Sequence, residues 1–246
     1  MKALIDETIR LNFDESDDAA HKFSKTSFMY WALNKRAFAQ GHAARQLHIF
    51  KTLKYLYVKP IKTVNEFFGG VGMGTGIAQK LFEPDSHIVY EVADECLEHL
   101  QSQGFSDALD VRYGLAEETM LEAQYADLFI CDMPSLNPLK LARWMPQLDH
   151  LFGLRPAAIY LNDTSFWSWS LHKERFGKAL NKPPLESIED YVMAYSEFMF
   201  ERYGYIVWTC AIHVGASFLY VQSDKMYQPE IKSIKRNEAK EVMQIW

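Results

Sequence analysis

From residue 61 onward, short apolar runs alternate with stretches whose apolar residues recur at helical spacing. The apolar runs predict seven strands, at 61–67, 87–92, 108–113, 127–132, 156–161, 205–212 and 217–222. Helices are predicted between them, near 74–82, 93–103, 116–123, 138–150 and 186–203. The short turn at 213–216 predicts that the last two strands form a hairpin that inserts one antiparallel strand. We therefore expect an α/β fold: a mostly parallel, seven-stranded sheet with helices on both faces.

The residues on either side of this region have a different pattern. Residues 27–40 and 42–57 have apolar residues near helical spacing, and Gly41 between them is a natural end for the first helix. Residues 223–246 resemble a charged helix with few apolar anchors. These patterns predict an N-terminal helical extension at 1–60, an α/β domain at 61–222 and a C-terminal helical tail at 223–246. The tail could contact a protein partner.

The composition excludes several classes of protein. Of 246 residues, 48% are hydrophobic and 24% are charged, which is typical of a globular protein with a sizeable core. The three cysteines are far apart and the histidines lack metal-ligand spacing, so we expect a reducing compartment and no metal. The longest apolar stretch, 205–221, is too short and too interrupted to span a bilayer. With no signal-peptide pattern at the start, a cytoplasmic location is expected.

A glycine-rich turn follows the first predicted strand. Glycines at 69, 70, 72 and 74 separate that strand from the next helix. They allow a tight turn and a close backbone approach to a ligand, and a helix N-terminus offers free N–H groups. The nicotinamide fingerprint fits poorly because Ile77 stands at its third glycine position, and the G-K-[ST] of a phosphate loop is absent. A strand-turn-helix corner without a ligand is the alternative.

The spacing of Glu66, Gly70 and Gly72 resembles motif I of the class I S-adenosylmethionine-dependent methyltransferases, which have a Rossmann-like fold. Phe68 stands where that family usually has glycine, and this variant is similar to the D-x-F-x-G-x-G form of nucleic-acid amino-methyltransferases. The resemblance implies S-adenosylmethionine as the cofactor. It places the following residues at that cofactor: Glu66, Phe68, Gly70, Gly72, Gly74 and Thr75.

Two later strand ends extend the resemblance. Glu91 ends the second strand, where a carboxylate can accept hydrogen bonds from a ribose diol; it could also be an ordinary surface residue. After the third strand, Ala116 and Glu117 resemble the segment that contacts the adenine ring in this family. The resemblance covers about residues 61–222.

The fourth strand ends in Asp132-Met133-Pro134-Ser135, which resembles the [DN]-P-P-[YFW] motif of amino-methyltransferases. The resemblance implies that Asp132, Pro134 and Ser135 lie at the acceptor, with Asp132 also beside the cofactor. In the family, the first residue and a backbone carbonyl accept hydrogen bonds from the substrate amino group and direct its lone pair at the methyl group. Met133 and Ser135 depart from the pattern, and Ser135 removes a stacking surface worth about 1–3 kcal/mol per base. Asp132 could equally be a plain strand-end acid.

Positive charge is concentrated near the N-terminus of a chain whose net charge is −6. Residues 21–62 hold nine basic and no acidic residues, interleaved with aromatics. Cations neutralise phosphates and aromatics stack on unpaired bases, so this segment could dock nucleic acid; the aromatics are better explained as core. The candidate contacts are Lys22, Lys25, Lys35, Arg36 and Arg45. The segment could instead dock on the acidic part of the same chain or on another subunit.

The leading hypothesis is a methyltransferase that acts on an amino group of a DNA or RNA base. One alternative is a protein of the same fold that has lost its chemistry and serves as a nucleic-acid-binding or partner-binding subunit. Another is a small-molecule or protein methyltransferase in which the basic segment is a lid or dimer contact.

Overall fold

The computed structural model describes residues 37–56, 59–70, 72–132, 141–163, 173–212 and 215–222. The bounds of the strands lie within a few residues of the apolar runs that predicted them. The strands are β1 (Thr63–Phe67), β2 (Ser86–Glu91), β3 (Leu109–Tyr113), β4 (Leu128–Cys131), β5 (Ala158–Asp163), β6 (Ile206–Ile212) and β7 (Gly215–Val221).

Helices connect successive strands from β1 to β6, and five of these six described helices match the predicted ones. In the described residues the helices are α1 (Ala37–Leu56), α2 (Met73–Phe82), α3 (Asp94–Ser102), α4 (Ala116–Glu122), α5 (Leu141–Gly153), α6 (Lys173–Ala179) and α7 (Ile188–Tyr203). Helix α7 begins with a capping box, in which the Ser187 side chain accepts from the Asp190 N–H and the Asp190 carboxylate accepts from the Ser187 N–H. None of the described helices is long and apolar enough to cross a membrane.

The strands form one sheet in the order β3-β2-β1-β4-β5-β7-β6. The pairs within β3-β2-β1-β4-β5 are parallel, whereas β7 runs antiparallel to both β5 and β6. The predicted α/β fold and its inserted antiparallel strand are therefore confirmed. The strand order reverses between β1 and β4, and open α/β sheets bind ligands in the crevice at the carboxyl ends of the strands at such a point.

Side chains alternate between two cores, one on each face of the sheet. On β4, Leu128 and Ile130 pack into the core beneath α1 and α2, whereas Phe129 and Cys131 pack into the larger core that includes residues of α4, α5, α6 and α7. The same alternation places Val64 in the first core and Phe67 in the second. This period of two fixes the face toward which each residue at a strand end points.

Helix α1 differs from the prediction in two ways. It runs unbroken from Ala37 to Leu56, so the expectation that Gly41 ends a helix is wrong. Four of its residues, Leu47, Ile49, Phe50 and Leu53, are buried in the core it shares with β1 and β4. A glycine inside a helix costs about 1 kcal/mol relative to alanine, and burial of four large apolar side chains outweighs that cost. The rest of the predicted N-terminal extension and the predicted C-terminal tail lie outside the described residues.

Candidate functional site

The glycine turn between β1 and α2 has three residues in the left-handed region of backbone conformation. Their φ angles are 65° at Phe68, 52° at Gly70 and 79° at Gly72. Two bonds between backbone groups hold the turn: the Gly69 N–H donates to the Tyr90 carbonyl at 3.1 Å, and the Gly72 N–H donates to the Gly69 carbonyl at 2.9 Å. The turn is therefore a fixed bend tied to the end of β2.

The glycines in this turn meet different requirements. A Cβ on Gly69 would lie 2.3 Å from a Val89 methyl, and one on Gly72 would lie 2.6 Å from a Leu100 methyl, so both are small because the protein packs against them. A Cβ on Gly70 would meet only the Phe68 carbonyl oxygen, at 3.9 Å, among the described atoms. Open space in front of Gly70 is the feature expected where a ligand approaches the backbone.

Glu91 joins the turn to the end of β2. Its Oε2 accepts from the Gly70 N–H at 2.8 Å, and its Oε1 accepts from the N–H groups of Val92 at 2.7 Å and Ala93 at 3.0 Å. Gly70 and Glu91, singled out separately in the sequence, are therefore in direct contact. A carboxylate can accept about four hydrogen bonds, so three backbone donors leave capacity for a ligand hydroxyl.

The N-terminus of helix α2 adds positive polarity to this corner. Gly72 is its N-cap, and no side chain in the described part of the molecule caps the helix there. The first N–H groups of a helix have no intrahelical acceptor, and the helix dipole places partial positive charge on them. Anionic groups bind favourably at such a position.

Glu66 is buried beneath the turn. Its Oε2 accepts from the Thr75 hydroxyl at 2.8 Å and pairs with His87 Nε2 at 3.1 Å. Burial raises the pKa of Glu66, the bonds from His87 and Thr75 oppose that rise, and the nearby negative charge of Asp132 adds to it. Because Glu66 is only 1% exposed, it organises the turn from below.

A chain of polar side chains runs from the surface to Glu66. The Ser106 hydroxyl donates to Gln79 Oε1 at 2.5 Å, and Gln79 Nε2 lies 3.1 Å from His87 Nδ1. If the Gln79 amide donates to Nδ1, the proton of neutral His87 lies on Nε2 and points at Glu66. The chain fixes the orientation of the buried imidazole.

Asp132 follows β4 and lies close to Glu66. The fully buried Gln46 of α1 donates from Nε2 to Asp132 Oδ2 at 2.5 Å. Cys131, the preceding residue, points into the opposite core, where burial and the charges of Asp132 and Glu66 raise the pKa of its thiol. Asp132 is thus at the sheet edge where the sequence expected it, while Pro134 and Ser135 lie outside the described residues.

The predicted adenine segment lies one strand further along the edge. Ala116 is the first residue of α4, and the Glu117 carboxylate lies 3.3 Å from the Arg143 guanidinium. The Glu117 carbonyl also accepts from Gln147 Nε2 at 3.0 Å. Both the carboxylate and the backbone carbonyl of Glu117 therefore bind side chains of α5.

Phe68 links the glycine turn to α5. Its ring packs edge-on against Trp144, with ring centroids 5.7 Å apart and an angle of 78° between the planes. A non-glycine residue in the left-handed region costs about 1–2 kcal/mol, and this aromatic contact offsets part of the cost. Trp144 itself is buried in the larger core.

The structure describes only part of the basic segment. Lys54 donates to the Leu81 carbonyl at 2.7 Å and so caps the end of α2, and Lys62 pairs with Asp85 at 3.1 Å. These two lysines have structural contacts within the protein. Arg45 lies on α1, whereas the other four candidate contacts, Lys22, Lys25, Lys35 and Arg36, lie outside the described residues.

Sequence reasoning missed Gln46, His87 and Gln79. His87 shares the inward face of β2 with Val89 and Glu91, so its burial could have been read from the period of two. Its pairing with Glu66, and the reach of Gln46 to Asp132, join residues far apart in the chain and gave no local signal. Among the described residues, no group of three or more His, Cys, Asp or Glu side chains is arranged to hold a metal.

No family model matches the chain, and no curated protein matches it. Solved structures do. The methyltransferase domain of a bacterial CtHen1 matches with a TM-score of 0.51 and 12% identity, over 75% of this chain and 99% of that one. PigF bound to S-adenosylhomocysteine matches with a TM-score of 0.54 and 13% identity, over 90% of this chain and 68% of that one. Human N-acetylserotonin methyltransferase with S-adenosylmethionine matches with a TM-score of 0.51 and 13% identity, over 90% of this chain and 66% of that one. The likeness shows a shared fold.

Proposed function

We propose that this chain is an S-adenosylmethionine-dependent methyltransferase whose cofactor binds at the glycine turn. The observation that carries the proposal is the contact between the Gly70 N–H and Glu91 Oε2 at the carboxyl edge of the sheet. Open space in front of Gly70 and the uncapped start of α2 lie at the same corner. Two solved structures that share the fold hold S-adenosylmethionine or its product.

The residues at this corner fit the parts of that molecule. Glu91 retains acceptor capacity for the ribose hydroxyls, and the start of α2 suits the carboxylate of the methionine portion. Ala116 and Glu117 are proposed for the adenine, where a backbone or carboxylate acceptor would bind the amino group. The cofactor supplies an electrophilic methyl group on a sulfonium.

Asp132, Pro134 and Ser135 are proposed to lie at the acceptor. Asp132 directly follows β4, the strand beside β1, so its carboxylate is close to the proposed cofactor corner. It would accept a hydrogen bond from the acceptor amino group, orient the nitrogen lone pair and offset the positive charge that develops on nitrogen. Direct attack of the acceptor nitrogen on the methyl group depends mainly on this positioning of the amino group.

A base amino group of DNA or RNA is the proposed acceptor, and a cytoplasmic location is proposed with it. Nine basic residues without an acidic one in 21–62 support this choice. A solved small RNA methyltransferase named HEN1 shares the fold with a TM-score of 0.50 and 10% identity. The other fold relatives include an enzyme named for N-acetylserotonin, so a small-molecule acceptor is the competing candidate.

Calorimetric titration with S-adenosylmethionine and S-adenosylhomocysteine tests the cofactor site, with adenosine triphosphate as the unrelated nucleotide. Gly70→Ala should weaken cofactor binding at least roughly tenfold, because the methyl group enters the open space, with backbone strain of about 1–2 kcal/mol. Gly204→Ala is the matched control, because Gly204 at the end of α7 also has a positive φ, 72°, and a Cβ there would meet no described atom within 4 Å. It should lose a similar amount of stability and keep its affinity for the cofactor. No binding by the wild-type protein at millimolar ligand would remove the proposal.

Fluorescence anisotropy with labelled RNA and DNA at several salt concentrations tests the acceptor class. Replacing Lys22, Lys25, Lys35 and Arg36 with alanine should reduce the slope of log affinity against log salt by about 1 per phosphate contact removed. The control is Lys178→Ala, an exposed lysine on α6. Cofactor binding combined with no salt-dependent nucleic-acid binding would favour a small-molecule acceptor. Nucleic-acid binding without transfer of labelled methyl groups would favour a binding subunit.

A further inference from the structure

Gln46 lies on α1, remote in sequence from the strand ends, yet its side chain is fully buried at the site. Its Nε2 donates to Asp132 Oδ2. A Cβ on Gly74 would lie 3.1 Å from that same Nε2 and 2.8 Å from Glu66 Oε1. Gln46 is therefore located where the carboxylates of β1 and β4 approach each other.

These two carboxylates belong to neighbouring parallel strands, with Glu66 beside Ile130 in the register of β1 and β4. Like charges in a buried setting repel strongly because little water screens them. An amide NH₂ group has two hydrogens and no charge, so Nε2 can bind Asp132 and still offer a hydrogen to a second acceptor. Glu66 Oε1 is buried and has no donor within the described part of the chain.

We propose that Gln46 is a positioning residue: it holds Asp132 in the orientation that faces the acceptor and keeps its carboxylate apart from Glu66. This inference rests on the proposed function, because the orientation of Asp132 matters only if Asp132 binds an acceptor. Gln46 is 0% exposed, so it acts through Asp132 and touches no ligand itself.

Gln46→Leu is the test variant and Gln147→Leu is its matched control. Gln147 is also a buried glutamine whose Nε2 donates one described hydrogen bond, to the Glu117 carbonyl at 3.0 Å, but it lies on α5 and away from the two carboxylates. Both variants lose a buried amide, so both should lower the Tm. The difference between them lies in the pH dependence.

In Gln46→Leu, the buried Glu66 carboxylate, whose pKa is already raised by burial, loses the donor that separates it from Asp132. The Tm deficit of this variant should therefore grow by about 3 °C as pH rises from about 5 to about 8, which corresponds to roughly 1 kcal/mol. Among the described residues, the other titratable group facing this site is His87 on β2, which both variants retain. Cys131 on β4 points into the opposite core. The deficit of Gln147→Leu should stay constant over the same range.

Adding Asp132→Asn to Gln46→Leu removes one of the two charges and should abolish the growth of the deficit with pH. Cofactor affinity in Gln46→Leu should stay within roughly threefold of wild type, whereas transfer of labelled methyl groups to total RNA or DNA should fall at least roughly tenfold. The inference would be overturned if the Tm deficits of Gln46→Leu and Gln147→Leu changed with pH in the same way. It would also be overturned if adding Asp132→Asn left the pH dependence of the Gln46→Leu deficit unchanged. Absence of cofactor binding in wild type would instead reject the proposed function, and the pH profiles would still decide whether Gln46 and Asp132 are coupled.

Discussion

Phe68 combines a strained backbone with a packing role. Its φ of 65° is one that glycine adopts freely, and its ring packs on Trp144. In the family that the sequence resembles, glycine usually stands here, and the left-handed backbone gives the physical reason. The contact of the Phe68 ring with α5 offsets part of the energy of this backbone strain.

At Phe68, a glycine variant should be more stable than an alanine variant, whereas the reverse order is usual elsewhere. Phe68→Ala keeps the strain and loses the ring, whereas Phe68→Gly loses the ring and relieves the strain. We expect Phe68→Gly to be more stable than Phe68→Ala by about 1 kcal/mol, with both below wild type. Urea unfolding of the three proteins measures this order. An alanine variant as stable as the glycine variant would show that the turn is not strained at this residue.

At the scale of elements, α1 is the described part of the predicted N-terminal extension. It packs against α2, β6 and β7. Its residues contribute to the core on one face of the sheet. The fold therefore depends on a helix that precedes the first strand.

Phe50→Ala should lower the free energy of unfolding by about 3–5 kcal/mol, because it removes a fully buried ring from the core beneath α1. The control is Tyr55→Ala, five residues further along the same helix, where the side chain is 67% exposed. That change should cost less than about 0.5 kcal/mol. Urea unfolding measures both. Equal losses would mean that α1 does not contribute to the core as described.

The sequence predicted the elements whose pattern is local. Alternation along β1 to β7 reflects burial on two faces, and Gly70 and Glu91 were found because a turn and a strand end impose specific residues. The helix α6 was missed because its seven residues contain a glycine and only Phe176 as a large apolar side chain. Gly177 is needed there, since a Cβ would lie 2.1 Å from the Pro183 carbonyl oxygen. The need for glycine at 177 arises from the loop that contains Pro183, and the spacing of apolar residues in the helix does not predict that contact.

The site was harder to predict than the sheet. The contact between Glu66 and His87 depends on which face of each strand the side chain occupies and on the register of the strands. The contact between Gln46 and Asp132 depends on how α1 packs on the sheet. Neither contact can be predicted before the strands are assembled. The continuation of α1 through Gly41 is a similar case. Packing of Leu47, Phe50 and Leu53 decides it, and the local preference of glycine is overridden.

For the whole molecule, the buried Glu66 should control how stability changes with pH. Its pKa is raised mainly by burial, so the folded protein holds this proton more tightly than the unfolded chain. Stability should therefore fall as pH rises from about 4.5 through the folded-state pKa, and then level off. The Asp149 carboxyl has a lowered pKa, chiefly through its bonds to Arg202. Its contribution has the opposite sign and is lost only as pH falls below its ordinary value of 3.8.

Glu66→Gln imitates the protonated carboxyl, because the amide oxygen can still accept from Thr75 and His87. We expect this variant to have a flatter profile of Tm against pH than wild type, and a higher Tm at the alkaline end. Thermal unfolding followed by circular dichroism at a series of pH values measures it. A variant whose profile has the same slope as wild type would show that another group controls this dependence.

The packing of α1 against β6 and β7 joins elements from opposite ends of the described chain. During synthesis, α1 leaves the ribosome before any described strand of the sheet, while two of its packing partners, β6 and β7, follow the other five strands. The apolar face of α1 thus stays without its full cover until all seven strands have been synthesised. A nascent chain that stops before β6 should keep that face accessible to chaperones and proteases, and protection should appear only when the closing hairpin has emerged.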